Sequence, residues 1–252
     1  MLTFRKTNIV FGVVSASLLC LLFFFSFHWI YVFTVVVLIY LSIVIYGSFT
    51  ISSNFHFQVI CSGKKDVEGI ALTFDDGPVP GVTDKVLDIL KKHDLKAAFF
   101  CIGQRIYENP DLAKRIVDEG HIIGNHTYGH SHFFDFFTTK DMLYDIELCS
   151  KTIYEYTRKE AVYFRPPYGV TNPNMKKALE KLSLIPIGWS VRSLDTITKD
   201  INTIFKRITK DVKEGDIILL HDGDEKIVFV LEMFIEEMRK RNISIKPLND
   251  II

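Results

Sequence analysis

The residue types able to do chemistry in this chain fall into a few short clusters. Asp75 and Asp76 stand side by side in Thr73-Phe74-Asp75-Asp76-Gly77-Pro78. A Gly and a Pro immediately after two carboxylates fix a tight turn that aims them. His126 and His130 follow in Asn125-His126-Thr127-Tyr128-Gly129-His130, a spacing that lets two imidazoles share one side of a metal ion. One carboxylate with two imidazoles forms the three-ligand set of a catalytic metal that keeps a position open for water. The second carboxylate can then act as a base, and the separate His221, in Leu219-Leu220-His221-Asp222, as an acid. His121 and His132 have weaker claims and read as structural or solvated.

These residues need a scaffold that brings them together. From Gly69 onward, short apolar runs alternate with amphipathic stretches. Strands are expected at about 70–74, 97–101, 121–124, 162–165, 185–190, 216–220 and 243–247. Helices are expected at about 83–93, 110–119, 140–157, 173–182, 200–214 and 226–241. Pro110 and Pro173 suit first helical turns, after Asn109 and Asn172 as caps, and Gly120 and Gly215 suit helix ends. Leu143, Ile146, Ile153 and Tyr156 repeat at helical spacing and read as core. Alternating β and α units make a parallel sheet, and seven strands indicate a (β/α) barrel with one strand fewer than eight. In such barrels the reactive groups collect on loops after the strands. Polar groups do follow five of the expected strands, the other two such loops being Phe164-Arg165-Pro166-Pro167-Tyr168-Gly169 and Trp189-Ser190-Val191-Arg192-Ser193-Leu194-Asp195.

The 252 residues are 48% hydrophobic, with 30 Lys and Arg against 30 Asp and Glu. No basic excess exists to displace phosphate counterions, so nucleic acid is excluded as the main partner. The charges are distributed unevenly: before residue 64 only Arg5 and Lys6 carry one. Residues 1–63 therefore read as a membrane segment, and residues 64–252 as a catalytic domain. Residues 9–49 hold no Asp, Glu, Lys or Arg. One helix of that length would be roughly 60 Å long, against a hydrocarbon core of about 30 Å. Two transmembrane helices, at about 9–27 and 30–49 with a turn near Ser26–Trp29, fit better, and the lipid bilayer is an expected partner. With both hairpin ends on one side, Arg5, Lys6, Lys64 and Lys65 favour the cytoplasmic face for the soluble domain; a single span would reverse this. The four cysteines (Cys20, Cys61, Cys101, Cys149) are too scattered for a disulfide scaffold.

The motif blocks, in this order, resemble those of the polysaccharide deacetylases, the NodB-like domain of carbohydrate esterases, over about residues 66–250. The resemblance implies a distorted (β/α)7 barrel, here preceded by the helical hairpin. It implies Asp76, His126 and His130 as ligands of a divalent metal, usually Zn2+, with Co2+, Mn2+ or Ni2+ as alternatives. By the same resemblance Asp75 is the general base, held by Arg165. His221 is the general acid, kept protonated by Asp195. The Tyr168 backbone N–H helps hold the oxyanion, and Trp189 and Leu219 line the acetyl pocket. The fourth block departs from the family's Asp-x-x-Asp-Trp, because Arg192 replaces the first Asp and Thr196 the Trp.

What the resemblance implies is a metal-dependent hydrolase that removes N-acetyl groups from amino sugars of a glycan, peptidoglycan or chitin-like, releasing acetate. The alternatives are a deformylase or deacylase of a lipid-linked amino sugar and an O-acetyl esterase on a xylan-like chain.

Overall fold

The computed structural model describes residues 2–24 and 29–252. It opens with two apolar helices, α1 (Phe4–Phe24) and α2 (Trp29–Phe49). They pair as a hairpin: Tyr40 donates to Asn8 across 2.9 Å, and the Phe11 and Tyr40 rings stack at 4.0 Å. Each has 21 residues, about 31 Å at 1.5 Å per residue, the thickness of a hydrocarbon core. Both are long and apolar enough to cross a membrane, and little of either is buried inside the protein. Helix α1 starts earlier than expected and runs through Arg5 and Lys6. Of the anticipated turn, only Trp29 is described, and it opens α2; Ser26 and His28 lie outside the described residues.

The remainder is a curled parallel sheet wrapped by helices. In chain order the elements are β1 (Ala71–Asp75), α3 (Thr83–Lys92), β2 (Ala98–Cys101), α4 (Gly103–Glu108), α5 (Pro110–Asp118), β3 (Ile122–Asn125), α6 (Thr139–Thr157), β4 (Tyr163–Phe164), α7 (Pro173–Leu182), β5 (Ile185–Pro186), β6 (Val191–Arg192), α8 (Ile201–Thr209), β7 (Ile217–His221), α9 (Lys226–Lys240) and α10 (Leu248–Ile251). The strand order is β5-β4-β3-β2-β1-β7-β6. The sheet is not closed between β5 and β6. The segment after the hairpin fills that gap: Ile60 bridges Ile187 in parallel, Ser62 bridges Asp216 in antiparallel sense, and Gly188 donates to the Ile60 carbonyl.

The strand count agrees with the expected seven, but the membership differs. The expected strand 185–190 shrinks to Ile185–Pro186, and β6 forms just beyond it at Val191–Arg192, because the chain crosses the gap at 187–190, where Gly188 lies against Cys61 and leaves no room for a side chain. The run 243–247 is not a strand. It makes one isolated bridge, Ile245 to Ile70 just before β1, and Pro247, with no N–H to give a ladder, leads into α10. Helix α8 ends at Thr209, whose carbonyl accepts from Arg241, well short of 214. Gly215 accordingly sits in a turn before β7 and donates to Gly69 instead of ending a helix. Gly120 does follow α5 with a φ of +82°. Asn172 caps α7 through Met175 N–H, whereas Asn109 turns its amide back to Arg105 and caps nothing.

Strand side chains alternate between two cores. Leu72, Phe74, Ile218 and Leu220 face the helices, against Val86, Leu90 and Phe234 among others. Ala71, Ala98, Phe100, Ile187 and Ile217 face the barrel interior, where Leu248 and Ile251 of α10 close the floor. Each large apolar side chain buried this way contributes roughly 1.5–3 kcal/mol. On the interior face the next positions up from Ala71 and Ile217 are Thr73 and Leu219, then Asp75 and His221, paired across β1 and β7. The apolar floor thus gives way, within two steps of each strand, to titratable groups.

Candidate active site

Three side chains converge at the top of the barrel. Asp76 Oδ1 lies 3.6 Å from His126 Nε2 and 3.4 Å from His130 Nε2, and the three ligand atoms fall within 4.8 Å of one another. The donor chemistry fits a divalent metal. His126 Nδ1 is 2.9 Å from the Arg165 carbonyl, which fixes its proton there and leaves Nε2 unprotonated toward the cluster. Burial, and then the neighbouring His126, push His130 down to about 4, so its ring is neutral at pH 7, as a ligand must be. Local backbone geometry supports the set: Asp76, Thr127 and His130 all have positive φ, and Thr127 N–H is held by the Asn125 side chain.

Asp75 stands beside this cluster, buried at the end of β1. Its Oδ1 accepts from Arg165 Nη1 at 2.7 Å, and its Oδ2 lies 3.8 Å from His126 Nε2. Arg165 is wholly buried and almost fully satisfied. It also donates to Thr73 Oγ1 and to the carbonyls of Ile187 and Gly188, and its guanidinium lies over Phe100 at 4.1 Å. A single guanidinium nitrogen meets Asp75, so the pair is monodentate, not the bidentate fork that the residue types would allow. The remaining donors lock the Arg into the barrel wall.

Across the opening, at the end of β7, His221 Nδ1 lies 2.6 Å from Asp195 Oδ1, and Asp195 Oδ2 accepts from the His221 backbone N–H. Burial alone would lower the His221 pKa. The bond to Asp195 and the charges of Asp195, Asp75 and Asp76 outweigh it and raise the pKa above the ordinary value. His221 therefore tends to carry its proton.

Comparison with known proteins agrees with this geometry. Residues 62–186 match the profile of the family described as Polysaccharide deacetylase. A peptidoglycan-N-acetylglucosamine deacetylase of Bacillus cereus is 34% identical over 188 residues, covering 73% of this chain and 87% of that protein. The chain belongs to the polysaccharide deacetylase family. A peptidoglycan-N-acetylmuramic acid deacetylase of Bacillus subtilis is 34% identical over 197 residues, covering 75% of this chain and 73% of that protein. A CE4-family pseudoenzyme from Bacillus anthracis superposes with a TM-score of 0.72 at 24% identity, covering 77% of this chain and 68% of that one, which shows the barrel fold alone. Because the fold also occurs in a pseudoenzyme, the residues in the site carry more weight than the barrel. Polysaccharide deacetylases are metal-dependent hydrolases of amide bonds, and the Asp76, His126 and His130 cluster could hold a metal ion.

The other residues expected in a deacetylase site are distributed as follows. Leu219 is buried on the interior face one step below His221. Trp189 packs against Gly169, next to Tyr168, and its ring lies 5.8 Å from the Arg165 guanidinium and 5.5 Å from that of Arg192. Tyr168 has a φ of +58°, and its hydroxyl sits 3.3 Å from His130 Nδ1 and 3.0 Å from His132 Nδ1. His132 thus reaches the rim of the site. His121 is remote: its Nδ1 accepts from Ala97 N–H and its ring packs on Phe99. Asp76, Arg105, Asp195, Thr196 and His221 line a cavity of about 260 Å³ at the mouth. A larger one, about 510 Å³, lies between β6 and α8 beside Arg192, Lys206 and Arg207, away from the carboxylates and imidazoles.

Three residues of consequence escaped the sequence pattern. Asp145 of α6 accepts from the N–H groups of Tyr128 and Gly129, holding the loop between the two metal-site histidines. A carboxylate beside the buried stripe Met142, Ile146 and Cys149 was its only signal. Arg105 of α4 donates to the Asp76 carbonyl at 2.7 Å. Asp222 is fully buried under Gly77 and accepts from Thr83 Oγ1, and its burial raises it to about 7.

Proposed function

We propose that this chain hydrolyses the N-acetyl amide of an amino sugar in a peptidoglycan or chitin-like glycan, releasing acetate and leaving a free amine. The observation that carries this reading is the pairing of opposed groups at one opening: a carboxylate held by a buried Arg beside the metal-binding triad, and a proton-bearing imidazole held by Asp195 on the other side. A divalent ion, Zn2+ in the first instance, held by Asp76, His126 and His130, would polarise the water and the acetyl carbonyl. Asp75 accepts the water proton on Oδ2, because Arg165 occupies Oδ1. The Tyr168 N–H supports the oxyanion, and Trp189 and Leu219 enclose the acetyl methyl. His221 gives its proton to the departing nitrogen, which leaves poorly as an anion. Asp195 holds the ring for that transfer.

The hairpin anchors this domain to a bilayer in our reading. Arg5 and Lys6 lie in the first turns of α1, at the hairpin end that meets the domain through the Phe4 N–H and Phe55 carbonyl. The positive-inside rule assigns that end to the cytoplasmic face. This favours a second reading, deacylation of a lipid-linked amino sugar, since an assembled wall lies on the other side. The test is to strip the detergent-solubilised full chain with chelator, restore zinc, and measure acid released from N-acetylglucosamine oligomers, with Asp75→Asn as control. Acetate release that needs both metal and Asp75 supports the main reading. Formate from an N-formyl sugar lipid, with no acetate from oligomers, replaces it by the second.

A further inference from the structure

The loop between β3 and α6 reads Ser131-His132-Phe133-Phe134-Asp135-Phe136-Phe137-Thr138. Phe134 is buried against Met142, Ile146 and Phe164, with Phe137 partly buried beside it. Phe133 and Phe136 point the other way, 70% and 86% exposed, and Phe136 is the most exposed large apolar side chain among the described residues. Asp135, the only acid in the loop, keeps Oδ1 buried, so the two exposed rings stand with His132 and Thr138 as their exposed neighbours in the loop and no exposed acid. The loop is fastened to the base of the hairpin. Asn172 Nδ2 donates to the Asp135 carbonyl, while the adjacent Thr171 N–H donates to the Ser48 carbonyl in the last turn of α2. Phe57, just past the hairpin, packs into the same cluster as Phe134 and Phe137. That last turn also exposes Tyr46 and Phe49.

We propose that Phe133 and Phe136 dip into the interface of the bilayer that holds the hairpin, so that the mouth of the active site lies at the membrane surface. The inference rests on the reading of the hairpin as a membrane anchor. The same short loop that joins α2 to the Phe loop carries Tyr168, whose hydroxyl touches His130 and His132, so the metal site is only a few residues from the lipid. Apolar rings adjoining a span belong at the headgroup and acyl boundary. Neither ring lines the mouth cavity, where a sugar platform would be.

The test uses the full chain in vesicles of phosphatidylethanolamine and phosphatidylglycerol containing lipids brominated near the headgroup. Trp29 in α2, read as the emission that the wild type has beyond Trp29→Phe, which keeps only Trp189, reports whether the hairpin is inserted. In Phe136→Trp the added emission should fall by about half on bromination, and Phe133→Ser/Phe136→Ser should keep its rate on soluble oligomers. Added emission that bromine leaves untouched, while Trp29 is quenched, overturns the proposal. So does emission that responds to N-acetylglucosamine oligomers instead, or that shifts blue without bromine quenching, the mark of a second copy covering the patch. If Trp29 also escapes quenching, the anchor reading fails and this inference with it, whereas acetate release would still stand or fall separately.

Discussion

The two sides of the metal site are built differently. On the barrel side, His126, Asp75 and Arg165 are buried: His126 Nδ1 meets a backbone carbonyl, and Arg165 is tied to Thr73, to two carbonyls and to Asp75 Oδ1. On the rim side, His130, Tyr168 and His132 share one hydroxyl among two imidazoles and a carbonyl, with Tyr168 and His132 exposed. A wall with one arrangement can fix the direction of a proton transfer. A rim with several near-equivalent partners for a single hydroxyl can adjust to a sugar. In the reaction proposed above, the difference teaches where chemistry and where recognition belong in this opening: the buried wall would hold the base, and the rim would meet whatever enters.

Variants can break that contrast. The largest effect belongs to Arg165→Met, which leaves the buried Asp75 carboxylate without its partner. It should cost about 3–5 kcal/mol of stability, read as a fall in denaturation midpoint, and a wild-type midpoint would mean that the wall is not held by this pair. Asp75→Asn should lower kcat about a thousandfold with metal content unchanged; loss of metal would reverse the two Asp roles. As the proposed general acid, His221 would have to be protonated to act, so activity should fall as pH rises through its raised pKa. Asp195→Asn removes the main support for that raised value and should move the alkaline limb to lower pH, with a loss at neutral pH of about tenfold; an unmoved limb would assign it to another group. Tyr168→Phe, on the rim, should change kcat less than about threefold and act mainly on KM, since it removes one exposed hydrogen bond. A kcat loss as large as that of Asp75→Asn would erase the distinction between wall and rim.

Much of the barrel was legible because strands buried on both faces are apolar runs, and because reactive residues follow them directly. What stayed hidden has physical causes. The shortening of the expected strand 185–190 to β5, with β6 beyond it, depends on the chain crossing a gap filled by a segment far earlier in the chain, as in the Ile60 and Ile187 bridge, and no local pattern records that. Helices α4 and α10 are too short, at 6 and 4 residues, to show a period. Arg105 and Asp145 act on backbone groups of the loops beside them, a relation that spacing along the chain does not express. The apolar character of Ile51, Phe55 and Val59 merged them with the preceding membrane run, although all three are buried in the fold.

The parallel bridge of Ile60 to Ile187 has a practical consequence for anyone cutting the gene. The stretch from Ile51 to Ser62 works as the last stave of an otherwise open cask. A fragment that starts at Lys64 discards the stave along with the anchor and strips the partners from the end of β5 and from Asp216 before β7, where unpaired backbone invites neighbouring molecules to add on. A fragment that starts at Thr50 keeps it and should stay monomeric at concentrations where the shorter one aggregates. The tether and the container are one piece of chain, so a pull on the hairpin is delivered to the wall that carries Arg165.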